Sequence, residues 1–142
     1  MAQTARAHWE GDLKTGRGTM ALGSGAFEGA YSFKTRFEGA PGTTPEELLG
    51  AAHAGCFTMA LSLGLTNAGH PPTSLDTSAA VTLAKVGEVF AITRIDLKTR
   101  GVVPGLGADD FTRLAEDAKK NCIISRAIAN VPMTVEATLA GA

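Results

Sequence analysis

The chain has 142 residues, the length of one domain, and 44% of them are hydrophobic, enough to fill a core. With 13 Lys and Arg against 14 Asp and Glu the formal net charge is -1, so no global field draws the chain onto nucleic acid or an anionic membrane. Two cysteines 66 positions apart exclude both a disulfide scaffold and a CxxC pair.

At the N-terminus, Trp9, Glu10 and Asp12 stand where a secretory signal would need an apolar run, and a reducing cytosol is the expected compartment. Residues 4–10 alternate, with Ala5, Ala7 and Trp9 on one side and Arg6, His8 and Glu10 on the other, which predicts a half-buried strand. After a glycine-rich stretch, Tyr31, Phe33 and Phe37 fall on one strand face and Lys34 and Arg36 on the opposite one, so the first third reads as a meander. Pro41-Gly42 turns the chain. Thr44-Pro45-Glu46-Glu47 then opens a helix, with Thr44 as N-cap, Pro45 at N1 and Glu47 closing a capping box.

From Leu48 to Gly69 there is no Asp, Glu, Lys or Arg, and apolar residues cover every side of the helix, which therefore has to be enclosed. Its length approaches that of a membrane span, but His53, Thr58, Ser62 and Asn67 interrupt it and its flanks lack anchors. A core helix is expected, packed on a sheet on one side and on a second copy of itself on the other. Gly50, Gly55 and Gly64 would let backbones approach closely. An obligate homodimer is the consequence.

Asn67-Ala68-Gly69 ends that helix, and Pro71-Pro72 prevents its continuation. Ala79, Val81 and Leu83 alternate in one strand. Val89, Ala91, Thr93, Ile95 and Leu97 line a face of the next, and the two are expected to pair as a hairpin. Asp109 or Asp110 caps an amphipathic helix with an inner row of Phe111, Leu114, Ala115, Ala118 and Cys122. A short helical piece around 123–129 leads into a last strand bearing Met133, Val135, Ala137 and Leu139. The order βββαββαβ predicts an α+β fold, one domain over residues 1–142, with sheet covering an unusually apolar helix.

Few residues can carry chemistry: Cys56, Cys122, His8, His53, His70, Arg36, Glu46 and Glu47. Cys56 lies inside the apolar helix, three residues after His53, so the two share a face. A free Cys often serves as a small hydrophobe, and passive packing stands open for both thiols. Cys122, beside Lys119 and Lys120 where a new turn begins, has features that modestly favour a thiolate. His53, Cys56 and Cys122 would give a metal three ligands and no fourth at a diagnostic spacing, so no metal is expected. A Cys/His hydrolase fares no better, because both side chains on one buried helix leave little room for a substrate carbonyl. His53 reads as a satisfied core residue, and His8 and His70 as surface residues.

The run TRFEGAPGTTPEELLGAAHAGCFTMALS, residues 35–62, closely resembles the OsmC branch of the OsmC/Ohr family, the osmotically inducible and organic hydroperoxide resistance proteins. AHWEGDLKTGRG, LDTSAAVTLAKVGEVFAITRIDL, VPG and AKKNC extend the resemblance over nearly the whole chain. It implies an intertwined homodimer with antiparallel-rich sheets wrapped around buried apolar helices, acting as a cytoplasmic, antioxidant thiol peroxidase on organic hydroperoxides, without a cofactor. By motif position it implies Cys56 as the peroxidatic residue, Cys122 as the resolving one, Arg36 as the activating cation and Glu46 as its carboxylate partner. The organic hydroperoxide resistance branch takes its arginine from nearer the N-terminus, where Arg6 and Arg17 are the alternatives. Asn121 and Ile123 flank Cys122 where other members have Gly and Pro.

That chemistry is physically coherent. Only a thiolate reduces a peroxide, and a desolvated thiol needs a cation to ionise. An arginine fork can hold thiolate and peroxide oxygen while a carboxylate fixes its plane. A sulfenic acid on Cys56, captured by Cys122 as a disulfide, leaves an external dithiol to complete the cycle. Phe57 and Met59, near in sequence, would favour alkyl or lipid-derived peroxides. Glu46 and Cys56, ten residues apart on one helix, are about 15 Å apart along its axis, so a shared site is either composite, with Arg36 and Glu46 from the partner chain, or needs a sharp helix bend near Gly50 or Gly55; the composite site is favoured. The alternative of a different class is a dimeric binding module whose apolar cavity holds a small ligand and whose cysteines only pack.

Overall fold

A computed structural model of the chain describes residues 1–141. In order it contains β1 (Ala5–Glu10), β2 (Arg17–Leu22), β3 (Glu28–Tyr31), α1 (Phe33–Phe37), α2 (Pro45–Asn67), β4 (Ser74–Val86), β5 (Val89–Val102), α3 (Ala108–Asn121), α4 (Ile123–Ala127) and β6 (Met133–Leu139). This is the expected α+β order, with α1 added before the long helix and α4 as the short helical piece after α3. The residues fall into two compact units, Met1–Leu48 and Leu49 onward.

The first unit is an antiparallel meander, β1-β2-β3. Gly18 lies opposite both Trp9 and Tyr31, whose rings stand 5.5 Å apart between centroids. A Cβ on Gly18 would come within 2.5 Å of the Trp9 ring and 2.7 Å of the Tyr31 ring, so glycine is what lets the pair close over the strand. The expectation of a half-buried β1 holds only for Trp9; the other five residues are exposed.

Residues 33–37, expected to extend the third strand, form the helical turn α1 instead. Ser32 caps it: its Oγ accepts the Thr35 N–H at 3.2 Å, and Thr35 Oγ1 accepts the Ser32 N–H at 3.0 Å. That reciprocal pair outweighs the aromatic alternation. Phe33 and Phe37, four residues apart, meet on one helix face with ring centroids 4.9 Å apart. The start of α2 follows the sequence more closely. Thr44 Oγ1 accepts the Glu47 N–H at 2.9 Å, while the Glu47 carboxylate accepts from the Thr43 hydroxyl at 3.0 Å rather than closing the box.

In the second unit β4 and β5 form the expected hairpin, turning through Gly87, whose φ of 63° suits a residue without a Cβ. The parallel strand β6 joins β5 on its other side. A single stripe of α2, His53, Phe57, Leu61 and Leu65, is fully buried. Phe57, Leu61 and Leu65 cluster with Leu97 of β5, with Phe111, Ala115 and Ala118 of α3, and with Cys122. By length and composition α2 could also cross a membrane, but that stripe is enclosed by protein. On the opposite face of α2, Met59 and Leu63 are 78% and 62% exposed. Gly107, not Asp109 or Asp110, is the N-cap of α3; the two aspartates lie in its first turn, where they complement the helix dipole.

Candidate functional site

The six residues weighed for chemistry beyond His8 and His70 collect mainly into two pairs, one in each unit. In the first, the α1 turn places Arg36 against Glu46 at the beginning of α2. Arg36 Nε donates to Glu46 Oε2 at 3.3 Å and Nη2 donates to Oε1, so both carboxylate oxygens are engaged by one planar fork. The guanidinium carbon also stands 5.2 Å from the centroid of the Phe37 ring. Burial pushes the Glu46 carboxyl up, but the hydrogen bond and charge of Arg36 outweigh it and hold the group below the ordinary carboxylate range. Glu46 is therefore ionised at neutral pH, and the arginine is held with donors left over for a further acceptor.

The alternatives to Arg36 have weaker settings. Arg6 is exposed. Arg17 pairs with Glu10 at 3.2 Å, but 86% of its side chain is open to water, where a cation is screened and mobile.

The second unit brings Cys56 and Cys122 together. Cys122 closes α3 and opens α4, being C-cap of the one and N-cap of the other. Its sulfur accepts the backbone N–H of Ser125 at 3.5 Å, and the residue is buried to 1% exposure. Cys56 is half-buried, more open than a residue wholly inside its helix would be. Desolvation raises its thiol, but a hydrogen bond from the Cys122 side chain, the backbone N–H groups of Ile124 and Ile123 and the charge of Arg126 together prevail, and the thiol lies below the ordinary value. Cys122 moves the other way: burial pushes it up, and the neighbouring Cys56 raises it further. The neighbours thus move the two thiols in opposite directions, Cys56 down and Cys122 up.

Arg126, Ser125 and the two backbone donors had no place in the sequence reading. The signal was present in CIISRA: a Cys at the junction of two helices, with an arginine four residues on. His53 is buried with Nε2 2.7 Å from Ser125 Oγ, and burial keeps the imidazole below its ordinary value, hence neutral. It is not the fully satisfied core residue expected, for Nδ1 has no hydrogen-bond partner among the described residues. His8 bonds Glu10, and His70 bonds the Pro104 carbonyl at 3.2 Å. Glu47 stays with Thr43. Phe57, expected to line the site, is a core residue, while exposed Ile123 and half-buried Ile124 supply apolar surface beside the thiols.

Residues 37–136 match the family model described as OsmC-like protein. The chain is 53% identical over 124 residues to peroxiredoxin OsmC of Escherichia coli (strain K12), covering 87% of each, and equally similar to peroxiredoxin OsmC of Shigella flexneri. Among solved structures it superimposes on the organic hydroperoxide resistance protein OhrB of Bacillus subtilis with a TM-score of 0.74 at 23% identity, covering 94% of this chain and 97% of that one.

Proposed function

This chain belongs to the family of OsmC-like proteins, and from that premise we propose that it is a cysteine-based peroxidase that reduces organic hydroperoxides to alcohols. The observation that carries the reading is the thiol pair, in which the more open sulfur is held below the usual thiol range by donors that converge on it. A packing cysteine in a binding module would need none of them.

Cys56 attacks the terminal oxygen of the hydroperoxide as thiolate. The O–O bond breaks, the alkoxide leaves and is protonated to the alcohol, and the sulfur becomes a sulfenic acid. Cys122 then attacks that sulfur, water departs, and a Cys56-Cys122 disulfide closes. An external dithiol returns both residues to thiols, which fits a reducing cytoplasm. Arg36, fixed by Glu46, holds the peroxide oxygen and the developing charge.

The site is composite in this proposal. Two copies pack through the exposed apolar face of α2, and Arg36 and Glu46 of one copy serve the thiols of the other. Met59 and Leu63, adjacent at i and i+4 and open in the single chain, support that packing. Replacement tests the assignment of the nucleophile: Cys56→Ser should abolish consumption of tert-butyl hydroperoxide in a dithiol-coupled assay, and turnover at the wild-type rate in that variant would refute it.

A further inference from the structure

Behind the two sulfurs runs a buried polar chain that the peroxidase cycle described above does not use. His53 Nε2 lies 2.7 Å from Ser125 Oγ, and Ser125 in turn meets Cys122: its backbone N–H reaches the sulfur at 3.5 Å, and its hydroxyl also favours the anion on that sulfur. The three residues are 0%, 4% and 1% exposed. His53 stands three positions before Cys56 on α2, and Ser125 three positions after Cys122 in α4, so the chain ties the segment carrying one thiol to the segment carrying the other.

The direction of the hydrogen bonds follows from counting protons. A serine hydroxyl has one proton to give. If Ser125 gives it to Cys122, its oxygen accepts from His53, which fixes the neutral imidazole as the Nε2–H tautomer. That tautomer leaves Nδ1 as a lone pair, and Nδ1 is a buried atom with no partner among the described residues. The reverse tautomer would bury an unpaired N–H, which native proteins avoid more strictly than an unpaired acceptor. The orphan nitrogen and the short Nε2 contact therefore agree on one polarity, donors aimed at Cys122.

We propose that Ser125 stabilises the charge that grows on Cys122 as it attacks the Cys56 sulfenic acid, and that His53 is the positioning residue that keeps the serine hydroxyl turned toward the sulfur. The inference rests on the peroxidase reading and deepens its second step. In that step the Cys122 sulfur bonds to the Cys56 sulfur as the S–O bond breaks. The Cys122 proton passes to the departing oxygen, which leaves as water; the Cys122 thiol is oxidised and the sulfenic sulfur reduced. A buried thiol resists this because its sulfur must carry negative charge away from water. Two donors from Ser125 supply in advance what water would supply by reorganising.

The test separates the two steps. One equivalent of tert-butyl hydroperoxide is added to the reduced protein, and sulfenic acid, disulfide and sulfinic acid are followed by quenched mass spectrometry with dimedone trapping. In Ser125→Ala and His53→Leu the ratio of disulfide closure to sulfenic acid formation should fall about tenfold, as for loss of one hydrogen bond to a charged group. Sulfinic acid should then accumulate on Cys56. His53→Gln, whose amide N–H can reach the same hydroxyl, should recover most of the closure rate, which a purely structural role for the imidazole would not give. Should His53→Leu fail to fold, Ser125→Ala against Ser125→Thr makes the comparison at the other end of the chain. Wild-type closure in Ser125→Ala, or His53→Gln no better than His53→Leu, overturns the inference while the peroxidase reading stands. Thiols in the wild type that ignore the hydroperoxide overturn both.

Discussion

Cys122 hydrogen-bonds the sulfur of Cys56 from a position 66 residues further along the chain, and the bond moves the two thiols in opposite directions. The donor favours the anion on Cys56, while the nearby anion disfavours a second one on Cys122. Burial divides the roles further, because Cys122 is enclosed and Cys56 is only half so.

Removing the donor should therefore slow the first step as well as abolish the second. In Cys122→Ala the pH profile of Cys56 alkylation by iodoacetamide should move to higher pH, and the rate at pH 7 should drop. The sign is fixed: a thiol held low is more ionised at neutral pH, and loss of the holding group lets it rise. An unmoved profile would remove the thiol–thiol bond from the account.

Arg126 acts through charge from an exposed position, so its contribution should be modest and sensitive to salt. Arg126→Gln should lower the reaction rate of Cys56 with peroxide a few-fold in dilute buffer. The difference from wild type should shrink as the Debye length falls from about 10 Å at 0.1 M salt to about 3 Å at 1 M. Stopped-flow measurements across that range would check it.

Arg36 and Glu46 should be far less forgiving, because they act as a fork. Arg36→Met should cost about 10²-fold or more in turnover, the scale of losing a preorganised donor at developing charge. Arg36→Lys should rescue little, since an ammonium cannot hold two carboxylate oxygens in one plane. The same pair sets a stability window. Glu46 is held below the ordinary carboxylate value, so its stabilising contribution is present above that value and is lost as pH falls through its own lowered one. Glu46→Gln should thus have a lower Tm than wild type at pH 7, with the gap closing under acid conditions.

What the sequence made legible was the portion governed by local pattern. The meander, the start of α2 at Thr44, the hairpin of β4 and β5 and the inner row of α3 all follow from period and caps. Residues 33–37 misled because aromatic residues four apart fit a strand face and a helix face alike, and the Ser32–Thr35 box decided between them. The roles proposed for both pairs of candidate residues come from resemblance to a family rather than from spacing. Ser125 and Arg126 were out of reach because their meaning depends on contacts: His53 and Ser125 are 72 positions apart. The all-round apolarity of α2 was legible, yet only one stripe of it is buried in the single chain.

That bare face yields its own expectation. Met59→Glu with Leu63→Glu should convert a dimer to a monomer by light scattering, with both thiols still titratable and peroxidase activity largely gone. Burying either carboxylate in an apolar contact would cost several kcal/mol, ample to dissociate the pair of chains. A folded monomer with full activity would refute the composite site.

The most direct measurement is a thiol count during titration with an organic hydroperoxide. Reduced protein should lose two thiols for each equivalent of tert-butyl hydroperoxide added and release one equivalent of alcohol, with mass spectrometry locating a single Cys56-Cys122 disulfide. Two thiols that persist through a stoichiometric excess of hydroperoxide would contradict the account outright.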